Sequence, residues 1–202
     1  MRKVVAAILL ATNVLVPTVV RPANLINDGG FESPTVSGGS CSKFTVGQAI
    51  GNWIVVGDEF GIGVRLTSGT FQANGITFNS HSGGRFLNLS SEGDQSAGVE
   101  QTVSTSSGKN YVLSFWAGSV FDSTGDGVYG SYGTMSKMDV FINGVWLTSV
   151  AQPGVAGSSS QSWNQYSVKF KATSNTTTVT ILGTVMASNN IGLDDVQLIQ
   201  KP

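Results

Sequence analysis

From residue 24 onward the apolar positions of this chain recur every second residue and show no helical period. Tyr111, Leu113 and Phe115 alternate with Val112, Ser114 and Trp116; Met138, Val140 and Ile142 alternate with Asp139 and Phe141; Val168 and Phe170 alternate with Lys169 and Lys171. Successive side chains of a strand point to opposite faces, so each run predicts a strand with one buried side. A β-branched run over 176–181 and shorter runs near 53–56, 62–66, 85–89, 98–103 and 193–200 predict further strands. Asn143-Gly144 fits a two-residue hairpin turn before a return strand over 145–150. Roughly ten short strands separated by glycine-rich turns make an all-β chain, and their spacing argues for an antiparallel β-sandwich rather than a propeller. The loops 118–134 and 152–162 are long for a compact domain, which marks them as places to look for function.

The first residues read differently. Met1-Arg2-Lys3 is basic, and 4–20 is apolar but interrupted by Thr12, Asn13, Pro17 and Thr18. A membrane span needs roughly 20 apolar residues, so residues 1–23 predict a secretory signal peptide, with an uncleaved N-terminal anchor as the alternative. Membrane attachment is expected only in that second case. The expected localisation is secreted, extracellular or periplasmic, in a bacterial host, and residues 24–202 form one domain.

Charge narrows the partners. Eleven basic and twelve acidic residues nearly cancel, and no basic run follows Lys3, which argues against nucleic acid. Cys41 is the only cysteine, so the fold stands on its core without an internal disulfide. Charged residues make up only 11% of the chain while Gly, Ser, Thr and Asn abound, the composition of an extracellular β protein with a hydroxylated surface. His81 is the only histidine, lies in the turn-rich stretch 79–84, and is expected to be solvated or turn-bonded. A histidine-built zinc site is excluded by count, and no nucleophile-elbow motif accompanies any serine.

Several segments together carry a resemblance. The domain opens with Asn24-Leu25-Ile26-Asn27-Asp28-Gly29-Gly30-Phe31-Glu32 and closes with Gly192-Leu193-Asp194-Asp195-Val196-Gln197-Leu198. Between them stand Gly51-Asn52-Trp53-Ile54-Val55, Gly84-Arg85-Phe86-Leu87-Asn88-Leu89, Val99-Glu100-Gln101-Thr102-Val103 and Trp163-Asn164-Gln165-Tyr166. In order and spacing these resemble the galactose-binding-like jelly rolls, in particular the secreted cell-wall group catalogued as domain of unknown function 642. More distantly they are similar to the carbohydrate-binding modules of xylanases and cellulases. The chain lacks the cysteines of the plant members of that group.

The resemblance implies a jelly roll that binds carbohydrate without transforming it. It also implies one structural calcium ion where the first and last strands meet, at the positions of Glu32 and Asp195. Strand alternation turns Asp194 and Asp195 to opposite sides; the plainer role for Glu32 is to cap a turn and for Asp195 to accept backbone amides. Trp53 and Trp163 match core anchors. Sugar recognition needs flat rings with polar groups around them, and the candidates are Trp116, Trp146, Tyr129 and Tyr132. The expected function is therefore a secreted, non-catalytic domain that binds a cell-wall or extracellular polysaccharide. A structural or adhesive protein without a sugar ligand is the alternative, and a small glycan hydrolase, which needs only two facing carboxylates, comes third.

Overall fold

The computed structural model of the chain describes residues 22–33, 41–58, 64–68, 71–73, 75–90, 96–122, 133–184 and 190–202. Residues 1–21 of the expected signal peptide and the candidates Tyr129 and Tyr132 lie outside the described residues.

Fourteen strands are formed: β1 (Cys41–Phe44), β2 (Ala49–Ile50), β3 (Trp53–Gly57), β4 (Val64–Ser68), β5 (Phe71–Ala73), β6 (Ile76–Phe78), β7 (Arg85–Asn88), β8 (Ala97–Ser104), β9 (Asn110–Ser119), β10 (Met135–Ile142), β11 (Val145–Pro153), β12 (Ser162–Lys171), β13 (Thr176–Gly183) and β14 (Gly192–Gln200). They exceed the roughly ten expected because β1, β2, β5 and β6 are too short for alternation to register. Among the described residues there is no helix. The loop expected over 152–162 is shorter, because β11 runs on to Pro153 before β12 begins at Ser162.

Two six-stranded sheets face each other, one ordered β1-β4-β7-β14-β9-β12 and the other β11-β10-β13-β8-β3-β2, with β5 and β6 as a separate hairpin. Every strand pairing within them is antiparallel. Asn143 and Gly144 have φ of 51° and 76°, the left-handed pair that a tight hairpin between β10 and β11 requires.

The alternating apolar residues meet between the sheets. Tyr111, Leu113 and Phe115 of β9 pack with Val99 of β8, Val140 of β10 and Ile181 of β13, all essentially buried. Burying side chains of this size contributes about 1.5–3 kcal/mol each, and this core is what holds a chain without disulfides.

Residues 22–33, the described part of the chain before β1, form no strand but seal one end of the sandwich. Leu25 N–H donates to Leu198 O at 2.9 Å and Val196 N–H to Gly29 O at 2.9 Å. The buried Gln101 amide spans to the same segment, accepting from Asn27 N–H at 2.8 Å and donating to Asn27 O at 2.9 Å. A Cβ at Gly29 would lie 2.0 Å from Val196 O, so the opening Gly-Gly signature reflects this close approach.

The outer faces of the two sheets differ. On the first, the β5–β6 hairpin covers Phe86 with Ile76 and Phe78, and Trp163 and Val120 join this small second core. The outer face of the second sheet has no such cover among the described residues. Thr102, Lys137, Trp146 and Ile54 are exposed there.

Candidate functional site

The acidic pair Asp194-Asp195 stands at a bulge. Asp194 pairs with Trp116 of β9, then the register shifts before Gln197. Asp195 has φ of 49°, a left-handed conformation that extended strands do not use. The shift cancels the alternation expected for these two residues. Asp194, Asp195 and His81 bring ligand atoms within 4.8 Å of one another. The carboxylates therefore work together rather than on opposite sides.

What they hold is the loop 79–84 between β6 and β7. Asp194 Oδ2 accepts from the N–H groups of His81 at 3.0 Å and Ser82 at 3.2 Å. Its Oδ1 accepts from Asp195 N–H at 2.8 Å. Asp195 accepts from Ser82 Oγ at 2.9 Å, and its Oδ2 lies 2.5 Å from His81 Nδ1. A carboxylate only accepts, so Nδ1 carries the proton in that contact. Glu32 Oε1 accepts from Gly84 N–H at 2.7 Å and Arg85 N–H at 2.9 Å, while Oε2 lies 3.5 Å from Arg85 Nη1. Gly83 has φ of 58°, a conformation that favours glycine, and a Cβ there would meet Glu32 Oε1 at 2.3 Å, so any other residue would displace that carboxylate from the loop.

His81 is consequently not the solvated turn residue expected from its neighbours. Its ring stacks on Trp116 with centroids 3.6 Å apart and planes at 16°, and meets Trp163 edge-on at 6.2 Å. Trp116 does project from the outer face of the first sheet, as alternation predicts, but His81 occupies one side of its ring. Trp163 is half-buried in the small second core rather than in the main one, and its Nε1–H donates to Asn79 O at 3.0 Å. Trp53 is the buried anchor expected, with no exposed surface, its ring 5.6 Å from Phe31 and its Nε1–H donating to Asp28 O at 3.0 Å.

Burial pushes the Asp194 carboxyl up to about 7 from an ordinary value of 3.8; the charge of Asp195 acts the same way, and the N–H groups of Ser82, Asp195 and His81 oppose it. A cation here would relieve that repulsion. The donors fit in kind, since Asp194 and Asp195 offer carboxylate oxygens; Asp28 Oδ2, a buried carboxylate oxygen with no hydrogen-bond partner among the described residues, does not belong to the group that converges here. Glu32 belongs to the same corner but is not in the group of three, because its oxygens serve Gly84 and Arg85.

Trp146 lies far from this corner in the architecture, on edge strand β11 of the other sheet. It is 57% exposed and starts a straight lateral row across that sheet's outer face. Trp146 pairs with Phe141, Phe141 with Thr180, Thr180 with Glu100, and Glu100 with Ile54. Thr180 Oγ1 donates to Glu100 Oε2 at 3.3 Å. The ring ladder Trp146–Phe141 thus adjoins a hydroxyl and a carboxylate on a sheet face that no other described residues cover. Of these residues the sequence marked Trp146 alone. Phe141, Thr180, Glu100 and Ile54 read individually as outward strand positions, and only strand order aligns them.

A family model described as "Protein of unknown function (DUF642)" matches residues 24–195. The chain belongs to the DUF642 family. No curated protein matches this DUF642 domain. Among solved structures it is similar to TmCBM61 in complex with β-1,4-galactotriose, at 20% identity and a TM-score of 0.51, over 89% of this chain and 99% of that one. It is also similar to a cyclase from Fischerella sp. TAU, at 16% identity and a TM-score of 0.60, over 90% and 98% of the two chains. A third is the enzymatically active domain of tailspike protein 4 of bacteriophage CBA120, at 15% identity and a TM-score of 0.50, over 88% of this chain and 21% of that one. Likeness at this level is of fold, and the fold of this DUF642 domain is an antiparallel β-sandwich of jelly-roll type.

Proposed function

We propose that this DUF642 domain is an exported, non-catalytic carbohydrate-binding domain for a cell-wall or extracellular polysaccharide. The observation that carries the reading is the row Trp146–Phe141–Thr180–Glu100–Ile54 on the second sheet, uncovered among the described residues. A flat ring stacks on the apolar face of a pyranose, and a carboxylate beside a hydroxyl accepts from and donates to sugar hydroxyls. The row crosses five strands, a length that suits a chain rather than a single sugar. The galactotriose-bound neighbour of the same fold adds support.

Enzymes also use this fold, and the close carboxylates Asp194 and Asp195, one with a raised pKa, are the feature that favours a hydrolase. Against it, Asp194 is fully buried and three backbone amides already occupy its oxygens. It serves the loop rather than a substrate.

A glycan-array screen of the protein tests the reading. The expected result is a defined hit that Trp146→Ala weakens about tenfold, the value of one aromatic stack. Parallel variants Trp116→Ala, Tyr129→Ala and Tyr132→Ala test the other stacking candidates. A blank array on folded protein sinks carbohydrate binding and puts the structural or adhesive reading first.

The structural calcium belongs to the same proposal. Asp194 and Asp195 would hold it through the lone pairs that the loop's N–H groups leave free, with Glu32 beside them; the ion would supply positive charge to a crowded acidic corner. Chelation is then expected to lower the Tm by roughly 5–10 °C, since an ion at about 100 times its Kd contributes about 2.7 kcal/mol. An unchanged Tm, with calcium added back to the same effect, removes the ion and leaves the hydrogen bonds to hold the loop alone.

A further inference from the structure

At the end of the first sheet away from Trp116, the nearly neutral chain concentrates positive charge. Lys169 and Lys171 occupy alternate positions of β12, opposite Val112 and Asn110 of β9. Lys201 follows β14 and reaches the same place, its N–H donating to Asn110 O at 2.9 Å. Together with Val112 these residues line a shallow groove of about 530 Å3, and no acidic side chain lines it. Lys109, in the turn before β9, has its carbonyl bonded to Ala172 N–H, so a fourth lysine stands next to Lys171 in the backbone. None of the four lysines has an ion-pair partner among the described residues.

Lysines on an edge strand also serve to keep that edge from pairing with another chain, and β12 is an edge. That role accounts for Lys169 and Lys171. It does not account for Lys201, which a more central strand delivers into the same groove from the other side of β9. The charges are also spread out. Lys169 and Lys171 stand about 7 Å apart along the strand, and Lys171 and Lys201 about 10 Å apart across two strand spacings. A single phosphate calls for donors that converge on one point, commonly the forked arginine; no arginine lines this groove. Separate, freely rotating ammonium groups over a partly apolar floor suit a polymer with one carboxylate on each of several successive units.

We infer that this groove is a second glycan site, specific for carboxylated polysaccharide such as a polyuronate chain. It lies on the outer face of the first sheet, whereas the Trp146 row lies on the outer face of the second, so the two sites act separately. The binding is electrostatic and weakens as salt rises. Two sites on opposite faces would let one domain bridge a neutral and an acidic polymer, with the gain that multivalency brings.

The test uses the whole protein with alginate oligomers, the same oligomers after carboxyl reduction, single-stranded RNA and anionic phospholipid vesicles, at low and high salt. The expected result is binding to the uronate oligomers that high salt and carboxyl reduction both abolish. The triple variant Lys169→Gln, Lys171→Gln, Lys201→Gln is expected to weaken it about tenfold, each exposed charge contributing modestly. Lys137→Gln, on the second sheet, is expected to change nothing. Thermal melting checks that the triple variant is folded, and the three single variants, each expected to lose about twofold, replace it if it is not. Equal binding of the reduced oligomers, an equal loss in Lys137→Gln, or an undiminished affinity in the lysine variants overturns the proposal. So does tighter binding of RNA or vesicles that falls with the same lysines, which would assign the groove to another polyanion. Neutral-glycan binding that Trp146→Ala weakens survives any of these outcomes, so the two readings fail separately.

Discussion

Asp194→Ala is expected to destabilise the domain by about 2 kcal/mol net and to release the loop 79–84 from the sheet. The substitution leaves three N–H groups without their acceptor, those of His81, Ser82 and Asp195, at about 1 kcal/mol each. Part of that loss is offset, because burial and the neighbouring Asp195 already disfavour a charge at this position. Asp194→Asn separates the two effects. Its amide oxygen still accepts from the loop and its charge is gone, so it is expected to cost clearly less than alanine. Urea denaturation measures the difference. Trp116 gives the local readout, since losing the His81 ring that lies 3.6 Å away exposes the indole and shifts its emission to the red. Asp195→Ala removes contacts of the half-exposed His81 ring and Ser82 hydroxyl, and is expected to cost about 1 kcal/mol. If Asp194→Ala costs no more than Asp195→Ala, the loop is held by its aromatic contacts and not by the buried acid.

Trp53→Ala carries the largest expected cost, about 4 kcal/mol, within the usual range for a fully buried aromatic side chain replaced by alanine. Total stabilities of 5–15 kcal/mol are typical, so this is a large share of the whole. The residue does two things. Its ring fills the core against Phe31, and its Nε1–H ties down Asp28 O. Phe31 and Asp28 both hold left-handed backbone, with φ of 57° and 52°, a conformation a bulky residue adopts only when its surroundings demand it. Loss of the indole therefore frees the opening segment as well as leaving a cavity. Limited proteolysis is expected to cut the variant near residues 28–33 before it cuts elsewhere. Trp53→Phe retains most of the packing and loses the hydrogen bond, so it is expected to cost about 1–2 kcal/mol without the new cleavage. Equal effects of the two variants would mean that the hydrogen bond matters more than the ring.

The sandwich was legible because alternation is local. Tyr111, Leu113 and Phe115 had to share a face, Asn143-Gly144 had to turn tightly, and no distant contact was needed to say so. The family was legible for a related reason: Gly29, Trp53 and Asp194 answer steric and hydrogen-bonding demands of the sandwich closure, so their order survives in the sequence. Outward projection of Trp116 and exposure near the hairpin turn at Trp146 followed from the same reasoning.

Three matters were not legible. The parity of Asp194 and Asp195 was misjudged, because a bulge inserts one extra residue and nothing in Leu193-Asp194-Asp195-Val196 signals it. His81 was placed in solvent, whereas hydrogen bonds from its loop to Asp194, 113 positions away in sequence, bring it onto Trp116. The grouping of candidates was open as well: Trp116 and Trp146 look alike along the chain, yet they belong to opposite sheets.

The sequence by itself determined that the chain is a β-sandwich, which side chains fill its core, and which family it joins, since these rest on periodicity and on short segments. Tertiary structure alone decided which outer face is covered, that the acids near the C-terminus clamp a loop, and that Trp146, Phe141, Thr180 and Glu100 form one row while Lys169, Lys171 and Lys201 line one groove. Strand order and register bring together residues distant in sequence, and a strand's own pattern carries no record of its neighbours.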